Sequence, residues 1–191
     1  MSKQLFLHLN KYLALTEDDF QKILPHFEPR TLKKKEILIP SGNVCNHNHF
    51  VLEGCLHMFF TNENGTERTV QFALENWWMT DNLAFSKQIV TDFSIQAVEY
   101  TKLLAISYEQ QERLLKEFPQ LERYFRTIYQ ISYGASLVKM KYLTDLSKEE
   151  IYFQFTEQFP HFAQRVPQYL IASFLGLTPE YVSEIRARRR S

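Results

Sequence analysis

The spacing of apolar positions changes twice along the chain, from helical to strand-like and back to helical. Leu5, Leu9 and Leu13 fall on one helical face, and Thr16 with the acidic residues after it predicts the start of a second helix. From residue 30 to about residue 107, short apolar runs alternate with turn signals. The predicted strands are 36–39, 50–52, 55–61, 67–73 and 102–106, and the turns between them are 40–42, 53–54 and 62–65. Many short strands at this spacing predict a jelly roll or a sandwich.

Helical spacing returns after residue 107. Residues 108–118 predict a short helix, and Pro119 can open a long one that carries a nearly continuous apolar stripe. The stripe consists of Leu121, Phe125, Ile128, Ile131, Ala135, Val138 and Tyr142. Such a stripe either packs into the core of its own chain or pairs with a second copy, and we favour a dimer seam because a helix that joins two domains faces outward. Residues 144–147 predict a hinge after this helix.

Residues 170–186 have the pattern of a helix-turn-helix. Ala172 is the small residue needed where the second helix crosses the first, and Gly176 supplies the turn because glycine adopts positive φ at low steric cost. Thr178 and Pro179 are an N-cap and a first helical residue. The apolar anchors of the pattern are Ile171, Leu175, Leu177, Val182 and Ile185. This segment predicts a DNA-binding motif, and the alternative is an ordinary helical hairpin.

The distribution of charge supports DNA as the partner, although the whole chain has a formal net charge of zero. Residues 1–120 carry 12 basic and 15 acidic residues, a net charge of −3, whereas residues 121–191 carry 10 and 7, a net charge of +3. Four arginines near the end of the second helix concentrate this positive charge: Arg186, Arg188, Arg189 and Arg190. They suit contacts with phosphates, or they form a solvated helix end.

Composition fits a globular α+β protein with a real core, since 45% of the 191 residues are hydrophobic. We expect a jelly-roll domain with flanking helices over residues 1–118, a long helix over 119–143 and a helix-turn-helix domain over 144–191. The chain has no run as long as a membrane span and no apolar secretion signal, so a cytoplasmic location is expected. Cys45 and Cys55 are too few for a disulfide framework, although they can pair under oxidising conditions.

This order of elements resembles the Crp/Fnr family of bacterial transcription regulators over nearly the whole chain. The stretches that carry the resemblance are residues 39–42, 50–54, 75–81 and 159–176. The last stretch is similar to a short subgroup that lacks the β-hairpin wing after the second helix. The resemblance implies that the jelly roll is a sensor, similar to a cyclic nucleotide-binding domain, or the remnant of one. It also implies a homodimer that binds double-stranded operator DNA, contacts RNA polymerase and responds to an unidentified small-molecule effector.

The helix-turn-helix geometry assigns roles to individual residues. Glu180, Ser183 and Glu184 are expected to face the groove, and Glu180 matches the glutamate with which the family contacts bases. The other residues expected at the DNA surface are Arg165, Gln168, Tyr169, Thr178, Tyr181, Arg186 and Arg188. Because acidic side chains accept hydrogen bonds, we expect them to favour the amino groups of cytosine over the acceptors of guanine.

The family's ligand positions can be located by the same resemblance. Members that bind cyclic nucleotides hold the ribose with a Gly-Glu pair and the phosphate with an Arg-Ser pair. Here Thr80 and Asp81 occupy the first pair, and Thr91 and Asp92 occupy the second. The missing arginine and the added carboxylate argue against binding of cyclic AMP, because its phosphate needs a cation and hydrogen-bond donors. Two cysteines cannot hold an iron-sulfur cluster, and no haem signature is evident, so no cofactor is expected.

A second class of function is suggested by His47, His49 and Glu53, which resemble the first metal motif of cupins. On one strand these three side chains share a face, as a facial metal site requires, and Gly42, Cys45, Cys55 and His57 lie nearby. The alternative hypothesis is therefore a metal-binding jelly-roll protein or enzyme. The second cupin motif is missing, because no histidine follows His57 until His161. Without a catalytic triad, phosphate loop or paired carboxylates, we expect no enzyme activity.

Trp77 and Trp78 are adjacent in a predicted strand region. Because adjacent strand residues point to opposite faces, at most one of them lines a pocket inside the roll. We interpret them as one core and one partner-facing aromatic residue, and the alternative is a wall of a ligand pocket.

Overall fold

The N-terminal helices begin where the sequence predicts. A computed structural model describes residues 2–190, apart from the side chains of Ser2 and Arg190. Helix α1 (Ser2–Leu9) is followed by α2 (Glu17–Ile23) and a 3-10 turn (Leu24–His26). Thr16 caps α2, because its hydroxyl accepts a hydrogen bond from the backbone N of Asp19 at 3.1 Å while the Asp19 carboxylate accepts one from Thr16 N at 3.1 Å.

Strands occupy the region with strand-like spacing. In the described residues they are β1 (Glu28–Leu32), β2 (Ile37–Ile39), β3 (His47–Glu53), β4 (Leu56–Thr61), β5 (Glu67–Ala73), β6 (Trp78–Met79), β7 (Ser94–Ala97) and β8 (Thr101–Ser107). Helix α3 (Asn82–Lys87) lies between β6 and β7. The apolar pattern missed β1, β6 and β7, because each is short and β1 has a proline and few apolar residues.

The strands form two four-stranded sheets with the orders β1-β8-β3-β6 and β2-β7-β4-β5. In the antiparallel registers, Phe50 of β3 faces Leu104 of β8, and Met58 of β4 faces Ile95 of β7. All four side chains are buried. Because strands adjacent in a sheet are mostly distant in sequence, the chain crosses repeatedly between the sheets, which confirms the predicted jelly roll.

The turn between β3 and β4 requires glycine. Gly54 has φ of 102°, and a Cβ at this position would lie 2.5 Å from Thr101 Oγ1 and 2.6 Å from the carbonyl oxygen of Tyr100. The Gly54 N–H also donates to Glu75 Oε1 at 2.8 Å. Any side chain here would therefore push β3 and β8 apart.

The remaining helices are α4 (Tyr108–Glu117), α5 (Gln120–Asp145), α6 (Lys148–Gln158), α7 (Pro160–Arg165), α8 (Gln168–Phe174) and α9 (Pro179–Arg190). Internal contacts divide the chain into two compact units. The first contains residues up to 60 and residues 71–129, and the second contains residues 61–70 and those from 130 onward. The predicted boundaries at 118 and 143 divide the chain by function and stay a prediction. Within residues 2–190, no helix is long and apolar enough to cross a membrane.

The apolar stripe on α5 has two different environments. Leu121, Phe125 and Ile128 belong to the core of the first unit, where each is at most 6% exposed. Their assignment to a dimer seam is therefore wrong, because α1, the sheet and α4 already cover this part of the helix. The other four predicted seam residues lie further along α5: Ile131, Ala135 and Val138 are exposed, and Tyr142 is half-buried.

A buried polar cluster lies inside the same core. The Trp78 indole N–H donates to the Tyr124 hydroxyl at 2.8 Å, and that hydroxyl lies 2.7 Å from Nδ1 of His8. A neutral imidazole fits this contact, either by accepting the hydroxyl proton at Nδ1 or by donating from Nδ1 to the second lone pair of the hydroxyl. Burial, with a smaller effect of Lys11, lowers the pKa of His8 to about 4. Trp78 is thus a core residue, whereas Trp77 is exposed.

Buried neutral histidines make stability depend on pH. The pKa of His8 is about 4, and burial lowers that of His49 to about 3. Because both values lie below the unfolded value of about 6.5, the unfolded chain takes up protons first as the pH falls. We expect the free energy of unfolding to be highest above pH ~6.5 and to fall by on the order of 1–2 kcal/mol per histidine by pH ~5.

Urea denaturation between these pH values measures the effect. His8→Asn keeps an acceptor for Tyr124 and should flatten the pH dependence, whereas the matched control His161→Asn changes an exposed histidine and should not. A wild-type midpoint that stays constant across this range would contradict the assignment of neutral buried histidines.

Candidate nucleic-acid interface

Helices α8 and α9 form the predicted helix-turn-helix within the second unit. Gly176 has φ of 71° in the turn between them. The backbone N of Leu177 donates to the carbonyl of Ala172 at 2.8 Å, which closes the turn against α8. The side chains that the pattern requires to be apolar are all buried, namely Ile171, Ala172, Leu175, Leu177, Val182 and Ile185.

Helix α9 begins at a cap that the sequence encodes. The Thr178 hydroxyl accepts a hydrogen bond from the backbone N of Tyr181 at 3.2 Å, and Pro179 is the first helical residue. Pro179 lacks an N–H, so it leaves no unpaired donor in the first turn. The local sequence therefore fixes the start of α9.

The exposed face of α9 carries two carboxylates and a hydroxyl. Because Val182 and Ile185 point to the interior, Glu180, Ser183 and Glu184 fall on the outer side, and all three are exposed. The Glu184 carboxylate lies 3.6 Å from the Arg188 guanidinium, one turn further along the helix. This face therefore presents acceptors in the middle and a cation towards the C-terminal end.

Other residues predicted at the DNA surface have different surroundings. Arg165, Tyr169 and Thr178 are exposed, whereas Gln168, Tyr181 and Arg186 are half-buried. The Arg186 guanidinium donates to the Gln168 side-chain oxygen and so joins α9 to α8.

Arg189 also contacts the protein surface in the second unit. Its guanidinium donates to Glu157 Oε1 at 2.8 Å and lies 4.2 Å from the centre of the Phe153 ring. The side chain of Arg190 lies outside the described residues. The predicted arginine cluster is therefore not a uniform phosphate-binding end, since Arg186 and Arg189 also hold α9 in place.

Residues 61–70, the tip of the β4–β5 hairpin, bond to α8. Ser173 Oγ accepts a hydrogen bond from Thr69 N at 2.9 Å and donates one to the carbonyl of Glu67 at 3.1 Å. Lys139 of α5 donates to the carbonyl of Val70 at 3.1 Å, and its ammonium lies 3.6 Å from the centre of the Phe174 ring. Burial lowers the pKa of Lys139 to about 8. This contact is a polar clamp between the hairpin tip and the first helix of the motif.

The sequence alone did not indicate this clamp. Ser173 and Thr69 are 104 residues apart, and neither the serine nor Lys139 lies in a local motif. The only available signal was a lysine between the apolar residues Val138 and Met140 of α5, and Lys141 beside them makes that signal weak.

Three of the four residues predicted at the family's ligand positions use their side chains to bond to the protein itself. Asp81 caps α3 by accepting from the backbone N of Leu83 and Ala84 at 3.1 and 3.2 Å, and it accepts the Thr91 hydroxyl at 2.7 Å. The Thr80 hydroxyl donates to the carbonyl of His47 at 2.9 Å. Asp92 is exposed. None of these four side chains is a cation.

The structure does not bring together the side chains of the alternative metal site. A register shift between Val51 and Glu53 breaks the alternation of β3, so Glu53 does not continue the face that carries the histidines. Glu53 instead pairs with Lys102 at 2.7 Å on the surface. Among the described residues no group of three His, Cys, Asp or Glu side chains could hold a metal ion. The described structure therefore does not form the predicted facial site from His47, His49 and Glu53.

Solved structures match this fold at low sequence identity. FixK2 from Bradyrhizobium japonicum has a TM-score of 0.73 and 15% identity, with 85% of this chain and 83% of that chain covered. A CooA mutant from Carboxydothermus hydrogenoformans has a TM-score of 0.67 and 20% identity, with 88% and 78% covered. The catabolite activator protein of Thermus thermophilus has a TM-score of 0.60 and 18% identity, with 95% and 85% covered. These matches include both the jelly roll and the C-terminal helices.

The chain thus consists of a jelly roll, a long helix and a helix-turn-helix, in that order. The family model described as the cyclic nucleotide-binding domain matches residues 29–118. No curated protein matches the sequence significantly. The predicted resemblance is confirmed at the level of the fold, which the chain shares with these Crp/Fnr structures.

Proposed function

We propose that this chain is a transcription regulator that binds operator DNA through α9. The observation that carries the proposal is the outer face of α9, where Glu180, Ser183 and Glu184 are exposed over the buried Val182 and Ile185. A helix held in this way by a preceding helix is the element that enters the major groove in helix-turn-helix proteins. The side chains on its N-terminal turns are those that reach base edges.

Base reading and phosphate binding fall to different residues of α9. Glu180 and Glu184 can accept from cytosine amino groups, whereas Arg188 at the exposed C-terminal end suits a phosphate. Arg165 and Tyr169 are exposed and supply further backbone contacts. The net charge of +3 over residues 121–191, from 10 basic and 7 acidic residues, favours approach to DNA by this half of the chain.

We infer that two copies of the chain pair through the second half of α5 to form a DNA-binding homodimer. Ile131, Val138 and Tyr142 fall on one face of that helix, and Val138 is 50% exposed. Burying this apolar face against a second copy removes it from water and places two recognition helices on one DNA site. The resemblance to Crp/Fnr regulators also favours contact with RNA polymerase and control by a small-molecule effector.

We propose that cyclic AMP is not the effector. The carboxylate of Asp81 already accepts hydrogen bonds from the first turn of α3 and from the Thr91 hydroxyl. None of the residues Thr80, Thr91 and Asp92 carries a positive charge. A cyclic phosphate would meet the exposed carboxylate of Asp92 without a compensating charge.

Substitutions on α9 should separate base reading from phosphate binding. Glu180→Ala is expected to relax base preference at one position in each half-site by ~1–3 kcal/mol. Arg188→Ala is expected to weaken binding to all sequences alike and to reduce the slope of log affinity against log salt by about 1. Selection of sites from randomised DNA, followed by salt titration of the selected site, measures both effects.

The matched control is Glu122→Ala, which removes an exposed carboxylate from the first turn of α5. It should leave the selected sequence and the salt slope unchanged. Identical sequence preferences and affinities for wild type, Glu180→Ala and Arg188→Ala would contradict DNA reading by α9.

Charging one face of α5 should separate the dimer. Val138→Glu is expected to shift the sedimenting mass to that of a monomer and to weaken operator binding, because a carboxylate would be buried in an apolar seam. Met140→Glu is the matched control, since Met140 is also exposed but lies roughly 200° around the helix. Loss of the dimer in Met140→Glu, with Val138→Glu unchanged, would show that the seam lies on the opposite face.

Calorimetry tests the exclusion of cyclic AMP. Wild-type protein is expected to give no saturable heat with cyclic AMP or cyclic GMP at micromolar concentrations, because the ligand positions lack a cation. Micromolar binding accompanied by a gain in operator affinity would contradict this expectation.

A further inference from the structure

A partly open pocket in the first unit is lined by residues of β1, β2 and β3 and of the loop between β2 and β3. Its volume is about 540 Å³. The lining residues that could contact a ligand include Arg30, Ile39, Asn43, Asn46, His47 and His49. The wall contains none of the four residues at the family's ligand positions, Thr80, Asp81, Thr91 and Asp92.

The charge of the wall favours an anion. Arg30 is its one cation, and no carboxylate is among its lining residues. The Arg30 guanidinium lies 3.5 Å from His47 Nε2. It also lies 3.3 Å from the carboxylate of Glu28, but that side chain is largely exposed to solvent and does not line the pocket. Asn43 and Asn46 add amide groups. A single guanidinium with amide donors suits a carboxylate, whereas a phosphate dianion needs more positive charge.

His49 supplies an acceptor on the same wall. Its Nδ1 lies 3.2 Å from the carbonyl of Met79, so Nδ1 carries the proton and Nε2 carries a lone pair. In the described residues Nε2 has no hydrogen-bond partner, although the residue is only 1% exposed. Every fully buried side-chain nitrogen and oxygen of the described residues has a partner. The unpaired Nε2 must therefore meet the open space of the cavity.

These features define the chemistry of a ligand. We propose that the cavity binds a small carboxylate with an apolar body and a hydroxyl group, the carboxylate on Arg30 and the hydroxyl donating to His49 Nε2. Ile39, Leu38 and Val44 contribute apolar surface to the wall, and the volume is within the range of small-molecule sites. Binding at this site does not depend on the proposed DNA-binding function.

Hydroxybenzoates provide probes that separate the two contacts. Isothermal titration of the full chain is made with para- and meta-hydroxybenzoate, which differ in the distance from carboxylate to hydroxyl, and with benzoate, which lacks the hydroxyl. We expect saturable binding of at least one hydroxybenzoate and binding of benzoate weaker by about fivefold or more. Absence of saturable heat with both hydroxybenzoates at millimolar concentrations, or equal affinity for benzoate, would overturn the proposal.

Variants assign each contact to a residue. Arg30→Gln is expected to weaken hydroxybenzoate binding about tenfold or more, whereas Lys33→Gln, which removes an exposed cation just after β1, should not. His49→Phe should abolish the preference for hydroxybenzoate over benzoate. The ¹⁵N shift of His49 Nε2 in the wild type gives a second readout that does not depend on the folding of that variant. Unchanged affinity in Arg30→Gln, or a constant Nε2 shift at saturating hydroxybenzoate, would overturn the assignment.

Discussion

The hydroxyl of Tyr124 joins the elements on which the first unit depends. It accepts a hydrogen bond from the indole of Trp78 in β6 and shares another with Nδ1 of His8 in α1, so one side chain of α5 satisfies two buried polar groups from distant parts of the chain. An unpaired indole N–H or imidazole nitrogen in this core would cost ~1–3 kcal/mol. The same helix buries Leu121, Phe125 and Ile128 in this core, whereas Ile131 and Val138 further along it are exposed.

Local signals in the sequence predicted the parts of the fold that local chemistry controls. The caps at Thr16 and Thr178 and the turn at Gly176 were predictable, because a cap or a positive φ depends on a few adjacent residues. Long-range partners were not. Periodicity along α5 indicated an apolar face but could not reveal that its first half is covered by its own chain, because every apolar stripe has the same pattern whatever packs on it. The register shift at Glu53 had no sequence signal either.

Polar side chains lie at two separate places in the jelly roll. At the family's ligand positions, Asp81 and Thr91 bond to each other and to the backbone, so polar side chains there stabilise the loop around α3. Polar groups at a different wall, Arg30 and His49, face open space. The fold is maintained by strand pairing in the two antiparallel sheets. This pairing does not determine which part of the jelly roll carries ligand-binding side chains.

The clamp at Ser173 makes the second unit discontinuous in sequence. Ser173 of α8 accepts one hydrogen bond from the hairpin tip and donates another to it, and the half-buried Lys139 donates to the carbonyl of Val70. A gene segment that encoded only the last sixty residues would omit the peptide groups that hydrogen-bond to Ser173. A segment that encoded only the jelly roll would contain the hairpin tip without α8, its bonding partner. Recombination with other regulators could therefore exchange these units only if the hairpin and the helices were inherited together.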